Sequence, residues 1–303
     1  MNHIQASGIA SCISLLLIWG KPIYSESKTF VLADSASSDR QARSLVIGAS
    51  EEMNSYEGKG RSNILVTKGG SVSFMNLRDS ATASVKGGEI SHLFLYDTSS
   101  LKLFDSGKQN NSAGKSSDIG FIHLHDSATA LIEGEEVAHI NLYDTSDLSV
   151  SGSSVISHLT LHDTSSLSVS GSQKIDHLTL EEETHGEIFD ARVGSLTLRD
   201  RSVVHVRSLD IQGDLFSAPG VEVSGGAIVL GSNTALNIYG REINFADGKL
   251  SGIWVDGTHF EFWLIRRIKD NWFWSLWRAG DDELTYEIPK SMPNQVIFHQ
   301  ISE

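Results

Sequence analysis

A chain of 303 residues has room for one elongated domain or for two compact ones. Gly is common at 27 and Pro scarce at 4, with Ser and Thr crowding the middle, a composition for β-structure rich in tight turns rather than for disorder. A formal net charge of -14 argues against a nucleic-acid partner, because phosphate binding needs a basic stripe, and leaves cations, basic partners and neutral glycans open.

The N terminus carries the one long apolar run, Ile9 to Gly20 (IASCISLLLIWG). It is too short to cross a bilayer and suits the core of a signal peptide, with small residues at Ser25 and Ser27 for cleavage. A basic n-region is missing, so a plain hydrophobic start is the alternative. The expectation is a signal peptide over residues 1–27, an exported chain destined for the extracellular space or cell surface, and no transmembrane anchor in the mature part. Its removal takes away Cys12, the single cysteine, so neither disulfides nor a thiol nucleophile enter the argument. Residues 28–61 are polar and irregular, and read as an N-terminal lead-in or cap.

Residues 62–247 repeat. Compare ISHLFLYDTSSLKLFDSG from Ile90, VAHINLYDTSDLSVSGS from Val137, ISHLTLHDTSSLSVSGS from Ile156 and IDHLTLEEETHGEIFDA from Ile175. An acid recurs at Asp79, Asp97, Asp126, Asp144, Asp163, Glu182 and Asp200, at intervals of 18, 29, 18, 19, 19 and 18 residues. The long interval holds a polar insert, Lys108 to Asp118, that reads as an exposed loop. Aligned on the acid, Val or Ile stands seven residues before it, pairs such as Leu93/Leu95 and Leu159/Leu161 four and two before it, and pairs such as Leu148/Val150 and Leu167/Val169 four and six after it. Spacing of two puts both members of a pair on one face of a strand.

Energy forces such turns to stack. Burying five aliphatic side chains yields roughly 10 kcal/mol, whereas ordering 18 residues costs about 20 to 30 kcal/mol. A neighbouring turn supplies the missing backbone ladder and covers the exposed layer. The predicted fold is therefore all-β, a parallel β-solenoid (β-helix) of about nine turns of 18 to 19 residues. Weaker turns are expected at Leu215–Gly225 and Ile228–Gly240, and a half turn at Ile64–Gly70. From residue 248 to 303 the composition changes: five of the six tryptophans lie between Trp254 and Trp277, and the alternation in HFEFWLI predicts an antiparallel, aromatic-rich β cap that closes the last edge. The Trp cluster reads as hydrophobic cap, with a glycan-stacking platform as the alternative.

The repeated Asp-Thr-Ser-x-Leu-x-Val-x-Gly unit, followed by ALNIYGREINFADGKLSGIWVDGTHFEF and ending in VIFHQI, resembles exported bacterial repeat proteins of the exosortase-sorted (PEP-CTERM-associated) type, over about residues 62 to 301. The resemblance implies export, a surface or matrix location and a β-solenoid; it brings no catalytic activity. The sequence runs to Ser302-Glu303 without the Pro-Glu-Pro motif, apolar helix and basic tail of such relatives. Release or non-covalent retention is thus expected in place of exosortase anchoring.

Three constellations bear on function. The acid column reads as Asx-type corners, in which Asp satisfies turn amides locally beside a Ser or Thr two residues on, as in Asp97/Ser99; a stack of cation sites is the rival reading. Outward positions of the first strand are rich in rings: His92, Phe121, His139, His158 and His177 five residues before the acid, and Tyr96, His125, Tyr143, His162 and then Glu181 one before it. Tyr96, His125, Tyr143 and His162 are the candidate ligand-binding residues, for extracellular glycans or surface proteins. His139, His158 and His177 are candidate ligands for a transition metal, against the plainer reading of a stacked ladder that stabilises the sheet. No resident cofactor is implied. A catalytic site is sought only in the degenerate turn Glu181–Arg192 (EEETHGEIFDAR), since enzymes on solenoids use local breaks where carboxylates gather. The functional expectation is a non-catalytic structural or recognition scaffold, not an enzyme. The alternative is a carbohydrate-active protein, a glycan-binding module or lyase-like enzyme, working through the His/Tyr face.

Overall fold

The computed structural model describes residues 29–32, 44–104, 118–213, 215–218, 221–269 and 284–301. The expected signal peptide over residues 1–27, nearly all of the polar insert, and Trp272, Trp274 and Trp277 lie outside the described residues. No described helix is long and apolar enough to cross a membrane. The chain is a β-solenoid in which each regular turn contributes one seven-residue and one five-residue strand, for example Val155–Leu161 after Asp147–Ser151. Like strands of successive turns pair in parallel, so Leu142, Leu161, Leu180 and Leu198 form one interior column. All four are fully buried, as are the Val and Ile residues of the column that runs from Val72 to Val193, within 1 %.

Two kinds of corner bend the chain. At one, glycines such as Gly87, Gly134 and Gly152 hold φ between 72° and 76°, in the left-handed region that Gly enters freely. At the other stand Gly60, Asp79, Asp97, Asp126, Asp144, Asp163, Glu182 and Asp200, all with φ from 56° to 65°, and these mark about eight turns. Asp is one of the few residues with a Cβ that tolerates this conformation. Two residues past the acid a small side chain points inward: Ala81, Ser99, Ala128, Ser146, Ser165, Thr184 and Ser202 are all fully buried.

The ladder extends further toward the N terminus than the repeat suggests: within the span 28–61 expected as an irregular lead-in or cap, the described residues 29–32, 44–47 and 52–58 are paired strands. Ser44–Ile47 pairs in parallel with Asn63–Thr67, Glu52–Gly58 with Ser71–Leu77, and Thr29–Leu32 with the strand at Glu52–Gly58. The signature was hidden because Tyr56 and Gly58 replace the usual pair of medium-sized aliphatics: they stand in register with Met75 and Leu77. Tyr56 is wholly buried, and a Cβ on Gly58 would lie 3.0 Å from its ring and 2.8 Å from Ser62 Oγ. A large and a small residue fill the space of two leucines.

Leu215–Gly225 is not a solenoid turn. Leu215–Ala218 and Val221–Ser224 pair antiparallel as a separate two-stranded sheet, while Leu196 pairs directly with Ile228 across the excursion. The Pro219-Gly220 dipeptide is a reversal signal, and Val221 and Val223 pack with Ala227, Val229 and Ile265 in a small core of their own. The C-terminal end mixes both modes. Lys249–Trp254 runs antiparallel to its neighbours on both sides, whereas His259–Lys269 and Val296–Gln300 rejoin the two parallel stacks. Trp254 is 2 % exposed, lies 4.0 Å from the Phe260 ring and donates its Nε1–H to Leu209 O at 3.1 Å. Its indole belongs to the core.

Candidate functional site

One outward sheet face follows from a two-residue bend in each long strand. In Glu136–Leu142 the inward residues are Val137, Ile140 and Leu142, so Ala138 and His139 both point out and the chain turns between them. Beyond the bend ordinary alternation places His139, Asn141 and Tyr143 on the same outer face. In-register parallel pairing repeats this on every turn, because His139 pairs with His158 and His158 with His177.

The outward rings meet as continuous ladders. In the outer column Phe74, His92, Phe121, His139, His158 and His177 stack with centroids 4.7–5.0 Å apart and planes within 25°. His177 Nδ1 closes it at 2.9 Å from Ser195 Oγ. In the corner column Tyr96, His125, Tyr143 and His162 stack at 4.7–5.0 Å within 10°. The four candidate ligand-binding residues are thus adjacent members of one stack. Its ends are charged: the Arg78 guanidinium lies 4.4 Å over Tyr96, and His162 Nδ1 lies 3.3 Å from Glu181, which Arg199 pairs in turn. A middle column adds Phe94 on His123 at 5.0 Å. Sequence reasoning passed over that column and the terminal Arg78, although the same two-residue spacing reveals both.

Rings stacked this way cover one another's faces and turn their edges outward. The exposed surface is therefore made of C–H rims, phenol hydroxyls and imidazole nitrogens, which carry the positive side of the ring quadrupole and the hydrogen-bonding groups. Burial first, and then the neighbouring imidazoles of His125 and His92, hold the His123 pKa below its ordinary value; burial and His158 do the same for His139. Among the described residues no group of three or more His, Cys, Asp or Glu is arranged to hold a metal ion. His139, His158 and His177 are brought together as near-parallel rings, whose in-plane lone pairs run side by side instead of converging.

The corner acids work differently from the local Asx turns expected of them. Each carboxylate reaches one turn back: Asp97 Oδ2 accepts from the Asp79 amide, Asp126 from Asp97, Asp144 from Asp126 and Asp163 from Asp144, all at 2.9 Å. The turn itself closes through backbone, as Ser165 N–H donates to His162 O at 3.2 Å. The serine two residues on is buried in the core, so the acid is free to link turns. These bonds offset the repulsion of stacked carboxylates. Asp144→Ala is expected to cost about 1–2 kcal/mol in urea denaturation, through a lost amide bond and a Cβ forced to keep φ of 58°. Asp144→Gly, which loses the same amide bond but carries no Cβ to strain at that φ, is expected to lose less. Equal losses would show that backbone strain contributes nothing.

In the degenerate turn Glu181–Arg192 two of the acids are held in ion pairs, Glu181 with Arg199 and Glu183 with Arg201, one turn on. A recess of about 800 Å³ lies at the C-terminal end between Ser232–Thr234 and Glu287–Gln295, away from the ladders.

Fold and face together define a class, a β-solenoid that displays edge-on imidazole and aromatic ladders on one flat sheet. Comparison with protein-family models, with curated proteins and with solved structures finds no match for this chain.

Proposed function

We propose that this protein is a non-catalytic, exported scaffold of the bacterial cell surface or matrix, and that the ladder face is where it meets a partner, an extracellular glycan or a surface protein. The observation that supports this reading is the stack Tyr96, His125, Tyr143 and His162, four polar rings held at 4.7–5.0 Å on a rigid sheet. Rings fixed by their neighbours lose little freedom on binding, which favours recognition over large rearrangement. The second reading is a carbohydrate-active protein. It draws on the alternation of phenol and imidazole in that stack, which puts hydrogen-bonding groups of different basicity side by side; turnover of a polysaccharide by the purified chain would favour it.

Fractionation of native cells tests the first reading. The full chain is expected at the surface, a chain lacking residues 1–27 inside the cell, and Tyr96→Ala/Tyr143→Ala exported but shed into the medium. Identical distribution of all three would overturn the proposal.

A further inference from the structure

Seven of the twelve histidines stand on the ladder face. His92, His139, His158 and His177 belong to the outer column, His123 to the middle one, and His125 and His162 to the corner column. We propose that the outer column together with His123 is a proton-gated docking surface for an acidic polysaccharide, which binds once these imidazoles charge. This rests on the recognition reading above.

The two edges of the face differ electrically. In the corner column His125 lies 4.0 Å from Asp144 and His162 3.3 Å from Glu181, so carboxylates of the protein itself already occupy that edge. The outer column is four residues further along an extended strand, about 13 Å. That exceeds the Debye length of about 8 Å at physiological salt, so the corner acids are largely screened from it.

Charged groups also flank the outer column across the bend. Glu89 and Glu136 occupy one register position two turns apart, followed by Lys174, Arg192 and Asp210. Lys174 pairs with Asp176 at 2.8 Å. Four acids and two bases leave this rim at two negative charges. With neutral imidazoles the rim and the net charge of -14 repel a polyanion. Five protonated imidazoles outweigh the rim.

The chemistry of the surface selects among polyanions. Nucleic acids held without sequence preference stack their bases on open aromatic faces and follow Lys or Arg along the backbone. Here the faces are covered by neighbouring rings, and the cations are imidazolium N–H groups at ring edges. Such edges suit in-plane hydrogen bonds to carboxylates spaced along a chain: His139, His158 and His177 repeat their donors every 4.7–4.8 Å, and His92 stands beyond the intervening Phe121. Burial and neighbouring imidazoles keep His123 and His139 reluctant to protonate alone. A carboxylate arriving at the surface reverses that balance, so binding and proton uptake are linked.

Calorimetry of the mature chain with polygalacturonate tests this. Affinity is expected to rise by about tenfold or more between pH 7.5 and about pH 5.8 at fixed ionic strength, with net proton uptake in buffers of different ionisation enthalpy. His139→Gln/His158→Gln should lose most of the gain, and His205→Gln, on the short-strand side, should keep it. Proton uptake by the unmodified chain provides a readout independent of how the variants fold. Binding that ignores pH, absence of uptake, or equal binding of double-stranded DNA would overturn the proposal. If pH has no effect while the Tyr96/Tyr143 variant is still shed from cells, only this inference falls.

Discussion

Leu161→Asp is expected to lose on the order of 5 kcal/mol of stability, whereas Thr160→Asp, one residue earlier, should stay within about 1 kcal/mol. Leu161 is fully buried between Leu142 and Leu180, so the substitution removes an apolar side chain and sets a carboxylate among aliphatics with no donor built for it. The group would hold its proton well above the usual carboxylate range to lower that penalty. Thr160 sits on the outer face between Asn141 and Thr179, where a carboxylate keeps its water. Because strand periodicity is two, a register error of one residue would reverse the two outcomes. Thermal or urea melts of both variants decide the matter, and similar midpoints would refute the packing described above.

The second large effect concerns the turn at Glu52–Gly58. Gly58→Leu is expected to cost about 2–4 kcal/mol, since even its Cβ would press within 3.1 Å of Ser62, Tyr56 and Leu77. Adding Tyr56→Leu should restore most of that loss, because the double variant recreates the two-aliphatic pair that Leu93 and Leu95 form elsewhere. Tyr56→Leu alone leaves a void at Gly58 and should also destabilise. Additive losses in urea denaturation would show that the two residues do not share one space.

The regular turns were legible in the sequence because one physical rule, alternation on a pleated strand, acts identically at every repeat. Val137, Ile140 and Leu142 announced their burial by spacing alone, and so did the outward His139 and Tyr143. Reading failed where volume or direction was traded between residues. The Tyr56/Gly58 exchange hid the turn before the repeat, and Leu215–Gly225 copied the composition of a turn while its strands Leu215–Ala218 and Val221–Ser224 pair antiparallel. The candidate site was legible as columns, with stacking as one reading of them, but its edge-on display was not. That Tyr96 to His162 show edges rather than faces depends on rotamers set by neighbours a full turn away, which no local pattern records.

The corner carboxylates give the solenoid a direction of growth. Each aspartate secures the amide of the turn before it, so a corner is finished only when the next turn arrives: Asp126 is held by Asp144, and Asp144 by Asp163. A chain that emerges N terminus first lays each new turn on a seat already made and, in settling, locks the seat below. Assembly by addition at one end, with every layer templating its successor, is the behaviour of a filament accomplished within a single polypeptide.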